Sequence, residues 1–73
     1  MKKLVFATTI KKEKDAMNIS NMLKNYFSLK SASFDLSNRQ NLLRIEGNNI
    51  IPTKIEQTLD FLGFKCQLIT VKA

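Results

Sequence analysis

The sequence predicts an α+β fold in the order β-α-β-β-α-β, with four antiparallel strands in one sheet and two helices on one face of it. Three observations predict it. Apolar residues recur at helical spacing in two separate stretches, Ala16 to Phe27 and Ile55 to Leu62. A clean two-residue alternation runs from Ser31 to Leu36. The other apolar stretches are short, rich in β-branched and aromatic residues or alternating, and bounded by polar or glycine-bearing turns.

Leu4 to Ile10 reads as the first strand. Both of its alternating faces are largely apolar, Leu4 and Phe6 on one and Val5 and Ala7 on the other, which suits a central strand. Lys11 to Lys14 is polar and forms the exit loop. Ala16, Ile19, Leu23, Tyr26 and Phe27 then mark one helical face, with Met22 on its flank. Asp15 suits the cap or first turn, where the helix dipole favours a carboxylate. In the second strand Ala32, Phe34 and Leu36 share the apolar side. Ser37-Asn38-Arg39-Gln40 is turn material. Asn41 to Glu46 is the third strand, its register ambiguous because Leu42 and Leu43 are adjacent, and Gly47-Asn48-Asn49 ends it.

Thr53 and Glu56 have the spacing of a capping box, with Pro52 just ahead. Such a cap contributes about 1 kcal/mol. Ile55, Leu59 and Leu62 follow on one face, and Gly63 is placed to close the helix in the left-handed conformation. Phe64, Cys66 and Leu68 alternate with Lys65, Gln67 and Ile69 as the last strand. Two β-α-β units joined by a hairpin make the ferredoxin-like split arrangement.

At 73 residues the chain reads as one small domain, able to bury only about 60% of its unfolded surface. A hydrophobic fraction of 44% and a charged fraction of 25% place it among ordinary globular proteins. A single cysteine, Cys66, excludes an internal disulfide framework and fits a reducing compartment. The opening Met1-Lys2-Lys3 and apolar run superficially resemble a signal peptide, but the run is short, carries threonines and meets Lys11-Lys12 instead of a cleavage site. No stretch approaches the roughly eighteen apolar residues of a membrane span, so a cytoplasmic location and no membrane partner are expected. The net charge of +6 favours acidic partners. The basic residues are dispersed and the phenylalanines sit at core-like spacing, which argues against nucleic acid.

Details narrow the fold. The last helix ends in Gly63-Phe64, the second strand ends in Phe34-Asp35-Leu36, and the element lengths from about Leu4 to Leu68 need no insertion. In these features the chain resembles the heavy-metal-associated domain of copper chaperones and of the amino-terminal regions of metal-pumping ATPases. The family's signature is Met-x-Cys-x-x-Cys in the first strand-to-helix loop. The resemblance lays Ile10 on the methionine, Lys12 on the first cysteine and Asp15 on the second, with Phe64 at the family's aromatic position. Two thiolates are what give Cu(I) its soft coordination, so the frame resembles the family's while the metal site the resemblance would imply does not survive. Ile10 retains the role of an apolar plug beneath the loop.

The remaining candidates are few. Cys66, between Phe64 and Leu68, reads as a small core hydrophobe; the alternative is residual metal binding or transport, within or between molecules, assisted by Met17 or Met22. Lys11, Lys12, Lys14 and Lys65 can gather near the first helix as an anion or partner patch, against the plainer reading of a solvated basic loop. The resemblance places Val5, Ala7, Leu43 and Ile45 toward the helices, leaving Leu4, Phe6, Leu42 and Ile69, with Arg44 among them, on the open sheet face as an interface for a homodimer or another protein. Histidine, a glycine-rich phosphate loop and a nucleophile with an evident base are all absent from the sequence, so no enzyme and no cofactor are expected. The expected function is a non-catalytic docking module related to metal handling, its partner an acidic protein or a second copy. A regulatory module binding an anionic ligand at the basic loop is the weakest reading.

Overall fold

The structure, a computed structural model, describes residues 2–37 and 39–72. Its elements follow the expected order: β1 (Lys2–Thr8), α1 (Glu13–Tyr26), β2 (Ser31–Asp35), β3 (Leu42–Gly47), α2 (Pro52–Phe61) and β4 (Cys66–Lys72). The strands form one sheet in the order β2-β3-β1-β4, and each neighbouring pair is antiparallel. This is the ferredoxin-like arrangement. Among the described residues no helix is long and apolar enough to cross a membrane.

Element ends differ from expectation for local reasons. β1 stops at Thr8, whose buried hydroxyl donates to the Asn41 carbonyl at 2.7 Å and accepts the Ile10 N–H at 3.3 Å. The chain turns there, and Ile10 drops into the core. Asn41 does not begin β3, because its φ of 49° is left-handed and incompatible with a strand. α1 starts at Glu13, so Asp15 is a first-turn residue and Lys12 the cap position. The expected turn spans Ser37 to Gln40, of which Asn38 lies outside the described residues.

Both helices end in the same geometry. The Gly63 N–H donates to the Asp60 carbonyl at 3.0 Å and the Phe64 N–H to the Leu59 carbonyl at 2.9 Å, while Gly63 takes φ +92°. That is the Schellman closure the sequence predicts. At α1 the Leu29 N–H reaches the Lys24 carbonyl at 2.9 Å, with Ser28 at φ 53° in the position glycine usually fills.

The capping box does not form. α2 begins with Pro52 in its first turn and Ile51 as the cap residue, with no side-chain cap bond. Proline at the first helical position gives up no bond, since that N–H has no intrahelical partner in any case. The helix therefore starts two residues early, and Thr53 and Glu56 no longer occupy the cap and third positions. Thr53→Ala is accordingly expected to change the unfolding free energy measured by urea titration by less than about 0.5 kcal/mol, against about 1 kcal/mol for a working cap.

The core lies between the sheet and the helices. Ala16, Ile19 and Leu23 of α1 and Ile55 and Leu59 of α2 pack over Leu4, Phe6, Leu43 and Ile45, with Ile10, Leu29 and Ile50 closing the ends. Each of the leucine, isoleucine and phenylalanine side chains contributes about 1.5–3 kcal/mol on burial. Ala32, Phe34, Leu36, Phe64, Cys66 and Leu68 pack around this centre, as their alternation predicts.

One face assignment is corrected. Leu4 and Phe6, expected on the open face, are 1% and 0% exposed, and Val5 and Ala7, expected inside, are the half-buried residues of the other face. Directly paired residues of antiparallel strands share a face. Leu4 pairs with Ile45 and Phe6 with Leu43, so a core-facing Leu43 and Ile45 carry Leu4 and Phe6 inside with them. The larger pair also removes more apolar area from water. Pairing of β1 with β4 slips between Val5 and Phe6: Val5 faces Thr70 and Phe6 faces Leu68, leaving Ile69 as the extra residue of a bulge.

Candidate functional site

The loop from Thr9 to Lys12 is held from three sides. Ile10, 0% exposed, anchors it from below. The Thr8 N–H donates to the Gln40 carbonyl at 3.0 Å, tying the loop to the turn before β3. The Thr9 N–H donates to the Lys65 carbonyl and the Lys65 N–H to the Thr9 hydroxyl, both at 3.0 Å, which brings the segment after α2 alongside. Lys11, Lys12, Lys14 and Lys65 are all exposed around this anchored backbone. The Thr9–Lys65 bonds thus bring the backbone of Lys65 beside the loop that carries Lys11 and Lys12, with Lys14 in the first turn of α1. Asp15, half-buried, and Glu13 occupy the first turn of α1 and meet the positive end of its dipole from within the chain. Ile10, Lys12, Asp15 and Phe64 stand where the resemblance lays the metal loop.

Cys66 opens β4 and is half-buried between Phe64 and Leu68. Burial pushes its thiol up from 9.0 to about 12, and the nearby Glu56 carboxylate adds to the push. The thiolate that a soft metal requires is therefore suppressed at neutral pH. Cys66 borders a shallow depression with Glu56, Asp60 and Lys65, Met17 lies in a second between α1 and β2, and Met22 lines a third between the helices. The three sulfurs thus belong to different surface depressions. Among the described residues no cluster of three or more histidine, cysteine, aspartate or glutamate side chains is placed to hold a metal ion.

The raised thiol has a consequence for stability. Unfolding frees Cys66 to ionise at its ordinary value, so its contribution to stability is full below pH 9.0 and is lost as pH rises toward about 12. Cys66→Ser is expected to flatten the alkaline decline of the urea midpoint over that window. An unchanged slope in the variant would assign the decline to other groups.

The open sheet face is more polar than expected. With Leu4 and Phe6 inside, it carries Lys3 paired with Glu46 at 3.4 Å and Arg44 paired with Asp35 at 3.7 Å, beside Ser31 and Ser33. Leu42 is half-buried, and Ile69 is 46% exposed at the bulge. The two residues that made this an extended apolar surface are not on it.

A further depression lies elsewhere and was not expected from the sequence. It is a groove of about 740 Å³ between α1 and α2, walled by Met22, Tyr26, Ile51, Lys54, Phe61 and Leu62. Tyr26 and Leu62, expected in the core stripes of their helices, are 75% and 41% exposed at its rim, and Phe61 is 88% exposed. Both helices hold chiefly to the sheet, α1 to β2 and α2 to β4, and the space between them is left unfilled. The available signal is a second stripe, Ile51, Lys54, Thr58, Phe61 and Leu62, at three- and four-residue spacing beside the core stripe of α2.

No protein-family model matches the chain, and no curated protein or solved structure matches it either.

Proposed function

We propose that the protein is a non-catalytic docking module of the heavy-metal-associated type, which recognises an acidic surface on a protein partner in the cytoplasm through its lysine loop. The observation that carries this reading is the anchored loop itself. Four exposed ammonium groups sit on a backbone pinned by Ile10, by Thr8 and by the reciprocal Thr9–Lys65 bonds. A charged surface held in one shape loses less freedom on binding, and complementary charge raises the association rate. The alternative, residual metal carriage through Cys66, has against it a thiol pushed up to about 12. A homodimer through the open sheet face lacks the Leu4 and Phe6 side chains that carried it.

The test is an amide-resolved titration with a glutamate-rich peptide at low salt. Shifts confined to Lys11–Ala16 and the neighbourhood of Lys65, lost at high salt and lost when Lys11, Lys12 and Lys14 are changed to glutamate, are expected. Shifts spread evenly over all the basic residues would show that the loop is no special surface.

A further inference from the structure

The groove between α1 and α2 is a separate surface from the lysine loop and stands on its own observations. Its walls combine Tyr26, Ile51, Phe61 and Leu62, whose large apolar side chains are 41% to 88% exposed. Tyrosine and phenylalanine at the rim of a concave apolar surface are the side chains that anchor protein interfaces. Scattered exposed hydrophobes are ordinary, but these line one depression.

What fits the groove follows from its walls. Most of the lining comes from the two helices, whose backbone groups are bonded internally apart from the ends, and Asn49 and Ile51 are contributed by the segment before α2. The helices offer no ladder of free N–H and C=O groups to an extended strand. The Thr58 hydroxyl is already turned back to the Lys54 carbonyl at 2.8 Å. An occupant must therefore satisfy its own backbone, which a helix does. Charge narrows it further. Among the described residues lining the groove, Lys54 is the charged one, while the α2 carboxylates Glu56 and Asp60 border a different depression. The chain carries a net charge of +6. A second copy seated by two-fold symmetry would bring two such charges together and set Lys54 near its own counterpart.

We propose that the groove between α1 and α2 receives an amphipathic helix of another protein, with carboxylates flanking its apolar stripe. Tyr26, Ile51, Phe61 and Leu62 take the stripe, and Lys54 meets a carboxylate at its border. The helix lies as a third rod across the two, its apolar residues at three- and four-residue spacing entering the groove.

The experiment uses the full chain, isotope-labelled, and three synthetic peptides. One is an amphipathic helix with leucines on one stripe and glutamates beside it; the second has lysine for each glutamate; the third is the first in scrambled order. The acidic peptide is expected to shift the amides of Met22, Tyr26, Lys54 and Phe61 saturably, and to bind at least about tenfold more tightly than either control, a difference of about 1.4 kcal/mol. Phe61→Asp and Lys54→Glu, both at exposed positions, are each expected to weaken it by about tenfold with the folded spectrum kept. Absence of a saturable shift at these residues up to millimolar peptide, or equal binding of the lysine or scrambled peptide, overturns the proposal. Concentration-dependent doubling of mass with the same shifts and no peptide assigns the groove to a second copy, which also overturns it. Shifts confined to Lys11–Ala16 and Lys65 leave the loop reading standing and remove this one; shifts confined to the groove do the reverse.

Discussion

Phe6→Asp is expected to leave no cooperatively folded protein at 25 °C. Phe6 is 0% exposed on a central strand, paired with Leu43 on one side and Leu68 on the other. Truncating such a phenylalanine to alanine costs about 3–5 kcal/mol. A domain of 73 residues has roughly 4–11 kcal/mol in total, at 0.05–0.15 kcal/mol per residue. The aspartate adds several kcal/mol for a buried carboxylate without a partner. Val5→Asp is the control, since Val5 lies on the opposite face, half-buried and paired with Arg44. Far-ultraviolet circular dichroism with urea unfolding should show loss of the transition for Phe6→Asp and its retention for Val5→Asp. The reverse result would mean that β1 presents its other face to the helices.

That experiment bears on where sequence reasoning succeeds and where it stops. Ser31 to Leu36 is legible because only one of its faces is apolar, and its side assignment holds in the structure. β1 is not legible in this way, since Leu4/Phe6 and Val5/Ala7 are both apolar pairs and alternation cannot choose between them. Strand pairing chooses, through Ile45 and Leu43, and pairing is a long-range fact. Gly63 is legible because its left-handed turn leaves few alternatives. The capping box is misread because Thr53 and Glu56 have the right spacing, yet Pro52 suits the first helical turn better than Thr53 suits the cap. At the lysine loop, the cluster Lys11, Lys12 and Lys14 is plain in the sequence, and the bonds that bring Lys65 to it come from tertiary structure. The groove escapes because Tyr26 and Leu62 continue the core periodicity of their helices, and only the separation of α1 from α2 leaves them exposed.

Lys12→Cys combined with Asp15→Cys is expected to create stoichiometric Cu(I) binding where the parent chain is expected to bind none at micromolar concentrations. Lys12 is extended, at φ −94° and ψ 133°, and caps α1, while Asp15 lies in its first turn. Residues three apart on a helical turn lie on one side of it. A thiol at a helix start has its pKa lowered by the free N–H groups and the dipole, the opposite of the environment that pushes Cys66 up to about 12. Two such thiolates suit Cu(I). Competition against a soft chelator should show one equivalent retained by the double variant, with an affinity at least roughly a thousandfold above the parent's, about 4 kcal/mol. The same titration on a Cys66→Ser background should change little. A double variant that retains no more copper than the parent would remove the resemblance to heavy-metal-associated domains as a guide to this loop.

The slip beside Ile69 matters beyond the interior it serves. β4 runs along an outer rim of the sheet, and Leu68-Ile69-Thr70-Val71 is the kind of β-prone run that recruits a strand from a neighbouring molecule. The inserted residue bends and twists that rim, so its backbone donors and acceptors lose the even spacing a foreign strand needs. The exposed Lys65 precedes the run and adds repulsion between like copies. The same irregularity that sets Phe6 opposite Leu68 is therefore expected to disfavour strand addition along this rim.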